Sequence, residues 1–179
     1  GWVQKLTLAQ LRGLDAGSHA GAAFAGERIP TLEEVLTEVG DKLIVDIELK
    51  YPTVETASLE AQVIEVIRRL GMQRRVWLSS FKPYALHTAR RLAPEMPCGL
   101  IYGPLSPGSW LLGPITPHES IHPHASFVSA RMMQRARRRG QRVITWTVDD
   151  PTQAQQLATC GVDAIITNTP AALLDAIRK

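Results

Sequence analysis

The stretch Leu43-Ile44-Val45-Asp46-Ile47-Glu48-Leu49-Lys50 decides the fold. Its apolar run is almost unbroken, the pattern of a parallel strand covered on both faces. The strand period of two puts Asp46 and Glu48 on one face with Ile44. Two acids on a face that is to be buried need a reason. At the C-terminal end of a parallel strand that reason is commonly a ligand site.

Working outward, helical and strand patterns alternate. Upstream, Thr7 with Gln10 and Thr31 with Glu34 read as capping boxes that open two short helices. A Gly/Ala-rich loop over 15–30 separates them, and Gly40 stops the second. Downstream, an amphipathic helix is predicted over 55–70, then a strand Arg75 to Ser79 and a helix over 83–92 with Pro83 at its first position. Cys98 to Tyr102 is a short strand. A long Gly/Pro-rich connection over 103–120 holds Trp110, Leu111 and Leu112, and Ile121-His122 is the next strand remnant. The rest reads as a helix Val128 to Arg139, a strand Arg142 to Val148, a helix from Asp150-Pro151 to Ala158, a strand Ala164 to Thr167 and a helix over 171–178. Strand then helix recurs six times at the spacing of βα units. This gives an α/β chain that fits a doubly wound sheet or an incomplete (β/α)8 barrel. Neither glycine-rich nucleotide fingerprint occurs, which weakens nucleotide binding. No linker is visible, so the 179 residues are expected to form one domain.

The totals exclude several classes. With 45% hydrophobic and 21% charged residues the composition is globular, not fibrous or disordered. No apolar run reaches the ~18 residues of a membrane span. The first residues lack a basic segment followed by an apolar one, so they are not an intact signal peptide. Localisation stays open, with the cytoplasm slightly favoured over the periplasm. Cys98 and Cys160 show no metal spacing and are expected as free, buried thiols. Residues 1–60 carry 5 basic and 10 acidic side chains, and residues 61–179 carry 15 and 7. Six arginines fall between Arg131 and Arg142 without interleaved aromatics. They read as a solvated helix end that complements the dipole, and not as a nucleic-acid surface.

Several residues carry candidate chemistry. Glu48 offers oxygen to a hard cation, and Lys50, two residues on, offers charge to a phosphate. A plain salt bridge closing the strand is the alternative. Asp46 reads as structural. His122 and His124 flank Pro123 at a strand end, where His122 is the better candidate for ligand contact. His19 and His87 read as surface residues, and none of the histidines forms a metal motif. Trp146, near a strand's C-terminal end, is either core or the wall of a pocket. Asn168 is expected to cap the last helix, with phosphate contact the alternative. Ser79 and Ser80 lack a nucleophile elbow, so a serine hydrolase is not expected.

These stretches resemble the glycerophosphodiester phosphodiesterase family. The resemblance rests on Leu6-Thr7-Leu8-Ala9-Gln10-Leu11, Leu14-Asp15-Ala16-Gly17, Glu27 to Leu36, Ile47-Glu48-Leu49-Lys50, Ser79-Ser80-Phe81, Trp146-Thr147-Val148 and Gly161 to Asn168. It implies a (β/α)8 TIM-type barrel that hydrolyses glycerophosphodiesters to sn-glycerol 3-phosphate and an alcohol with a divalent cation, Mg²⁺ or Ca²⁺. By resemblance Glu48 matches a metal carboxylate, Lys50 a basic residue near the phosphate, and Trp146 an aromatic lining the substrate pocket.

The family's opening motifs (His-Arg-Gly, Glu-Asn-Thr, Glu-x-Asp and a His-Asp pair) have no counterpart here, and Asp149 stands where an Asn is usual. The implied domain therefore lacks two strands, both catalytic histidines and two metal carboxylates. No residue present is assigned a catalytic role, the cation is expected to be poorly held, and the chain alone is expected to be inactive. Open barrel edges are expected to favour self-association. A non-catalytic remnant of the same fold and another phosphodiesterase of the superfamily are the competing readings.

Overall fold

The computed structural model describes residues 2–50, 58–106, 109 and 112–178. The chain falls into two compact units, Gly1–Leu43 and Ile44–Lys179.

In the first unit both capping boxes form as the sequence predicts. Thr7 opens α1 (Leu8–Arg12) with Gln10 answering, and Thr31 opens α2 (Leu32–Val39) with Glu34 answering. Gly40 follows α2 at φ 55, a left-handed turn that costs glycine nothing. The loop between them is held by one side chain. The Asp15 carboxylate accepts from the backbone N–H groups of Gly17, Ser18 and Gly26 and from the Ser18 hydroxyl. Those four donors hold its carboxyl well below the usual carboxylate range. Arg12 donates to the Ile29 carbonyl and pairs with Glu34, tying the two helices.

The second unit is a six-stranded, wholly parallel sheet. Its strands are β1 (Val45–Glu48), β2 (Val76–Ser80), β3 (Cys98–Tyr102), β4 (Ser120–Pro123), β5 (Arg142–Thr145) and β6 (Ala164–Ile165), paired in that order. Between them run α3 (Ser58–Arg69), α4 (Pro83–Leu92), α5 (Ala130–Arg138) and α6 (Pro151–Cys160), with α7 (Pro170–Ile177) after β6. Helix ends follow local chemistry. Pro83, Pro151 and Pro170 occupy first turns, and Asp150 caps α6 through the N–H groups of Thr152 and Gln153. Gly161 ends α6 in the left-handed region at φ 84. Among the described residues no helix is long and apolar enough to cross a membrane.

Several boundaries move from the sequence-based expectation. The first strand starts at Val45, and Leu43 and Ile44 are exposed. The fifth ends at Thr145, with Trp146 held by a single bridge to His124. Among its described residues the connection before β4 carries a 3₁₀ turn, Gly113–Ile115. Trp110 and Leu111 lie outside the described residues. Cys98 is buried as expected, and burial pushes its thiol up to about 11. Cys160 corrects the expectation: it is exposed, because it closes the last turn of α6 on the solvent side.

The register divides the sheet into two faces. Paired residues in a parallel sheet point the same way, so Val45, Val76 and Leu78, Cys98 and Leu100, Ile121 and Val143 share the face that packs on helices. Val143 clusters there with Met133 and Ala136 of α5. Asp46 and Glu48, Trp77 and Ser79, Gly99 and Ile101, Ser120 and His122 share the other face. That second face is strongly concave. In a flat sheet, β1 and β4 would stand three strand spacings apart, about 14 Å. Yet Asp46 Oδ2 on β1 and His122 Nδ1 on β4 approach to 3.5 Å. Only a sheet curling toward closure brings them together, which is barrel curvature.

Candidate functional site

The concave face and the C-terminal strand ends bring together most residues singled out from the sequence. Glu48 is the last residue of β1. Its Oε2 lies 3.1 Å from Lys50 Nζ. Its Oε1 is buried without a hydrogen-bond partner. Leaving a carboxylate oxygen buried and unpaired is costly, so the position is built to receive a donor or a cation. Lys50 is largely exposed and leans back on Glu48. The β1 end is pinned to β2 from both directions: the Leu49 N–H donates to the Ser79 carbonyl at 2.7 Å, and the Ser80 hydroxyl donates to the Leu49 carbonyl at 2.8 Å.

One pleat deeper, Asp46 faces His122. Burial pushes Asp46 up to about 6, and the Glu48 charge adds to the shift. The Ser79 hydroxyl lies close enough to oppose this shift without reaching hydrogen-bond geometry. A third of the Asp46 side chain still meets solvent, which moderates the effect. His122 is 0% exposed, and burial pushes its imidazole down to about 4, helped by nearby His118. At neutral pH His122 is therefore neutral, and its approach to Asp46 is not an ion pair. Its Nε2 meets the Ser120 hydroxyl at 2.7 Å, and its Nδ1 has no hydrogen-bond partner.

Gly99 makes this packing feasible. An ideal Cβ there would overlap His122 Nε2 and stand 2.7 Å from Ser120 Oγ. The imidazole occupies the space that the missing side chain leaves. Gly99 and Ser120 were not singled out from the sequence. The available signal was a lone glycine inside a strand, which marks close approach of another group.

Trp146 walls the upper rim. Its indole N–H donates to the His122 carbonyl at 2.8 Å, and Phe81 and His124 meet its ring edge-on at 5.5 and 5.2 Å. Gly103 clears space for it, since a Cβ there would stand 3.2 Å from the ring. His124 is engaged locally through Nδ1 with Ser126. His118 Nδ1 contacts the Thr116 carbonyl, and His19 and His87 are exposed.

Asn168 corrects the capping expectation: Thr169 is the cap position of α7, without a side-chain bond. The Asn168 amide instead donates to Asp149, which also accepts from the Asn168 backbone N–H and the Thr167 hydroxyl. These donors pull the Asp149 carboxyl below the usual range and clasp the β5 and β6 loops. Among the described residues no three His, Cys, Asp or Glu side chains are grouped to hold a metal ion. Glu48 Oε1 is the orphan carboxylate oxygen at the strand ends, and Glu60 Oε2 on α3 is a second one among the described residues.

Comparison with known proteins gives a consistent result. The model of the glycerophosphoryl diester phosphodiesterase family matches residues 1–172. A glycerophosphodiester phosphodiesterase of Caldanaerobacter subterraneus subsp. tengcongensis is 35% identical over 182 residues, covering 100% of this chain and 74% of its own length. An Oleispira antarctica phosphodiesterase solved with its product sn-glycerol-3-phosphate superposes at a TM-score of 0.87 with 29% identity, covering 100% of this chain and 73% of that one. A glycerophosphodiester phosphodiesterase from Agrobacterium tumefaciens superposes at 0.77 with 24% identity over 98% of this chain and 74% of that one, a likeness of fold. The six strands thus correspond to part of a TIM barrel.

Proposed function

Because the chain belongs to the glycerophosphoryl diester phosphodiesterase family, we propose that its concave strand ends serve the hydrolysis of glycerophosphodiesters to sn-glycerol 3-phosphate and an alcohol. The observation that carries the reading is the Glu48 carboxylate, with one oxygen buried and unpaired and the other on Lys50. Glu48 is one ligand of a divalent cation, Mg²⁺ or Ca²⁺, which supplies Lewis-acid polarisation of a phosphoryl oxygen when bound. Lys50 turns from Glu48 to the phosphate, as a flexible ammonium is able to do. Trp146 forms the wall against the glycerol or alcohol part. His122 belongs to the substrate side by holding the Trp146 indole through its carbonyl. The 179 residues act as one catalytic-domain segment in this reading.

One carboxylate is too few oxygen ligands for a tight site. The chain by itself is therefore expected to bind the cation weakly and to turn over slowly or not at all. Two measurements test this. Calorimetric titration with sn-glycerol 3-phosphate in Mg²⁺ is expected to show binding that Lys50→Gln and Glu48→Gln each weaken about tenfold, the scale of a charge-assisted hydrogen bond. Unchanged affinity in both variants would remove the site. Release of glycerol 3-phosphate from glycerophosphocholine by the purified chain is expected at background level. Rapid metal-dependent release would overturn the expected inactivity while supporting the reaction.

A further inference from the structure

The catalytic reading leaves unused several exposed residues of the β3–β4 connection and the arginines on and after α5. Leu105 is 96% exposed, Ile115 71% and Leu112 46%. Single exposed aliphatic residues are ordinary, but three on one connection are more apolar surface than water favours. Beside them, Gly113 and Pro114 line a slot of about 330 Å³ together with Leu100, Ile121, Met132 and Ala136. Arg135 and Arg139 border the same slot, so the apolar connection abuts the basic helix. Residues 131–142 hold six arginines and no acid. Arg142 is held by Asp163, and Arg137 reaches the Cys160 carbonyl; Arg131, Arg135, Arg138 and Arg139 lie exposed.

We propose that this face docks the chain onto an anionic lipid bilayer. A polyanion alone does not reward exposed leucine and isoleucine, and the aromatics of the slot, Tyr102 and Phe127, are half-buried beside each other, whereas single-stranded nucleic acid seeks open aromatic platforms. A bilayer interface satisfies both halves. Leu105, Leu112 and Ile115 enter the acyl boundary while the arginines meet lipid phosphates. Leu100 and Ile121 of the slot lie on the helix-covered face, opposite the concave face of Glu48 and Ser79, whereas Leu105 follows two residues after Gly103, which abuts Trp146 at the rim of the site.

Sedimentation of the whole 179-residue protein with vesicles tests the proposal. Vesicles of phosphatidylcholine are compared with vesicles containing about 30% phosphatidylglycerol at low and moderate salt. Partition onto the anionic vesicles is expected, falling with salt, and at least tenfold weaker onto phosphatidylcholine. Arg135→Gln with Arg139→Gln is expected to weaken it about 25-fold, roughly fivefold per arginine. Leu105→Ser with Ile115→Ser is expected to weaken it at least tenfold. All four positions are exposed, and circular dichroism checks that the variants fold. No retention, equal retention on both vesicle types, or retention unchanged by either pair would overturn the proposal. RNA retention that depends on the arginines, with vesicle binding indifferent to Leu105 and Ile115, would overturn it in favour of a nucleic-acid surface.

Discussion

Gly99→Ala should be among the most damaging small substitutions in the sheet. The added methyl would overlap His122 Nε2 and sit 2.7 Å from Ser120 Oγ. A clash with the tip of a side chain is cheap when that side chain can swing away. His122 cannot, because it is 0% exposed and packed between β1 and β3. Overpacking of this kind costs ~1–3 kcal/mol. Displacing the ring also breaks its 2.7 Å bond to Ser120, about 1 kcal/mol more. Replacing glycine in a strand returns ~0.5–1 kcal/mol of chain entropy. The net expectation is a loss of about 2 kcal/mol, read as a lower urea midpoint at constant slope. The decisive comparison adds His122→Ala. In that background the Ser120 hydroxyl, released from the imidazole, can rotate off the methyl, so Gly99→Ala should become nearly neutral, a coupling of about 2 kcal/mol. A loss below ~0.5 kcal/mol in the wild-type background, or an equal loss in both, would refute the account of Gly99 as the seat of the imidazole.

Three further outcomes are expected. The His122 imidazole is held near 4 against an ordinary 6.5, so the unfolded chain binds more protons between these values. Its stabilising contribution is intact above about pH 6.5 and is lost as pH falls toward 4; the acid side of a urea-midpoint profile should flatten in His122→Gln, and an unchanged profile would contradict the neutral, buried ring. Gly161→Ala places an alanine at φ 84 against the Arg137 guanidinium and should cost ~1–2 kcal/mol, whereas Gly161→Asn should cost less, both by thermal melting. Asp150→Ala removes the acceptor of the Thr152 and Gln153 N–H groups and should cost about 1 kcal/mol in the same assay, with Asp150→Ser largely restoring it.

Much of this molecule is legible in its residues because much of it is local. The capping boxes at Thr7 and Thr31 and the prolines opening α4, α6 and α7 are set within a few residues, and each lies where the pattern puts it; the first strand is there too, but shorter, since Leu43 and Ile44 precede it exposed. Glu48 and Lys50 were legible for the same reason, since two positions along a strand fix a shared face. What escaped depends on neighbours far away in the chain. Asn168 has the right chemistry and position for a cap, but Asp149, from the preceding strand's loop, takes its amide. Cys160 has apolar neighbours in sequence and solvent in space. The approach of Asp46 to His122 exists only because the sheet curls, and curvature is a sum over four strands that no one segment encodes.

The strictly sequential strand order has a consequence for motion. Each strand's neighbours come from the adjoining βα units, so β3 and β4 are bonded on both sides within the described sheet while β1 is bonded on one. Local opening therefore costs least at the edge strands, β1 and the two-residue β6, and rises toward the middle. Glu48 and Lys50 are carried by an edge strand, pinned by the Leu49 N–H and the Ser80 hydroxyl. His122 lies on the strand that opens last. Amide exchange should record this as early loss of protection at Ile47 and Leu49 and late loss at Leu100 and Ile121. The charged half of the site would breathe while the aromatic half stays fixed.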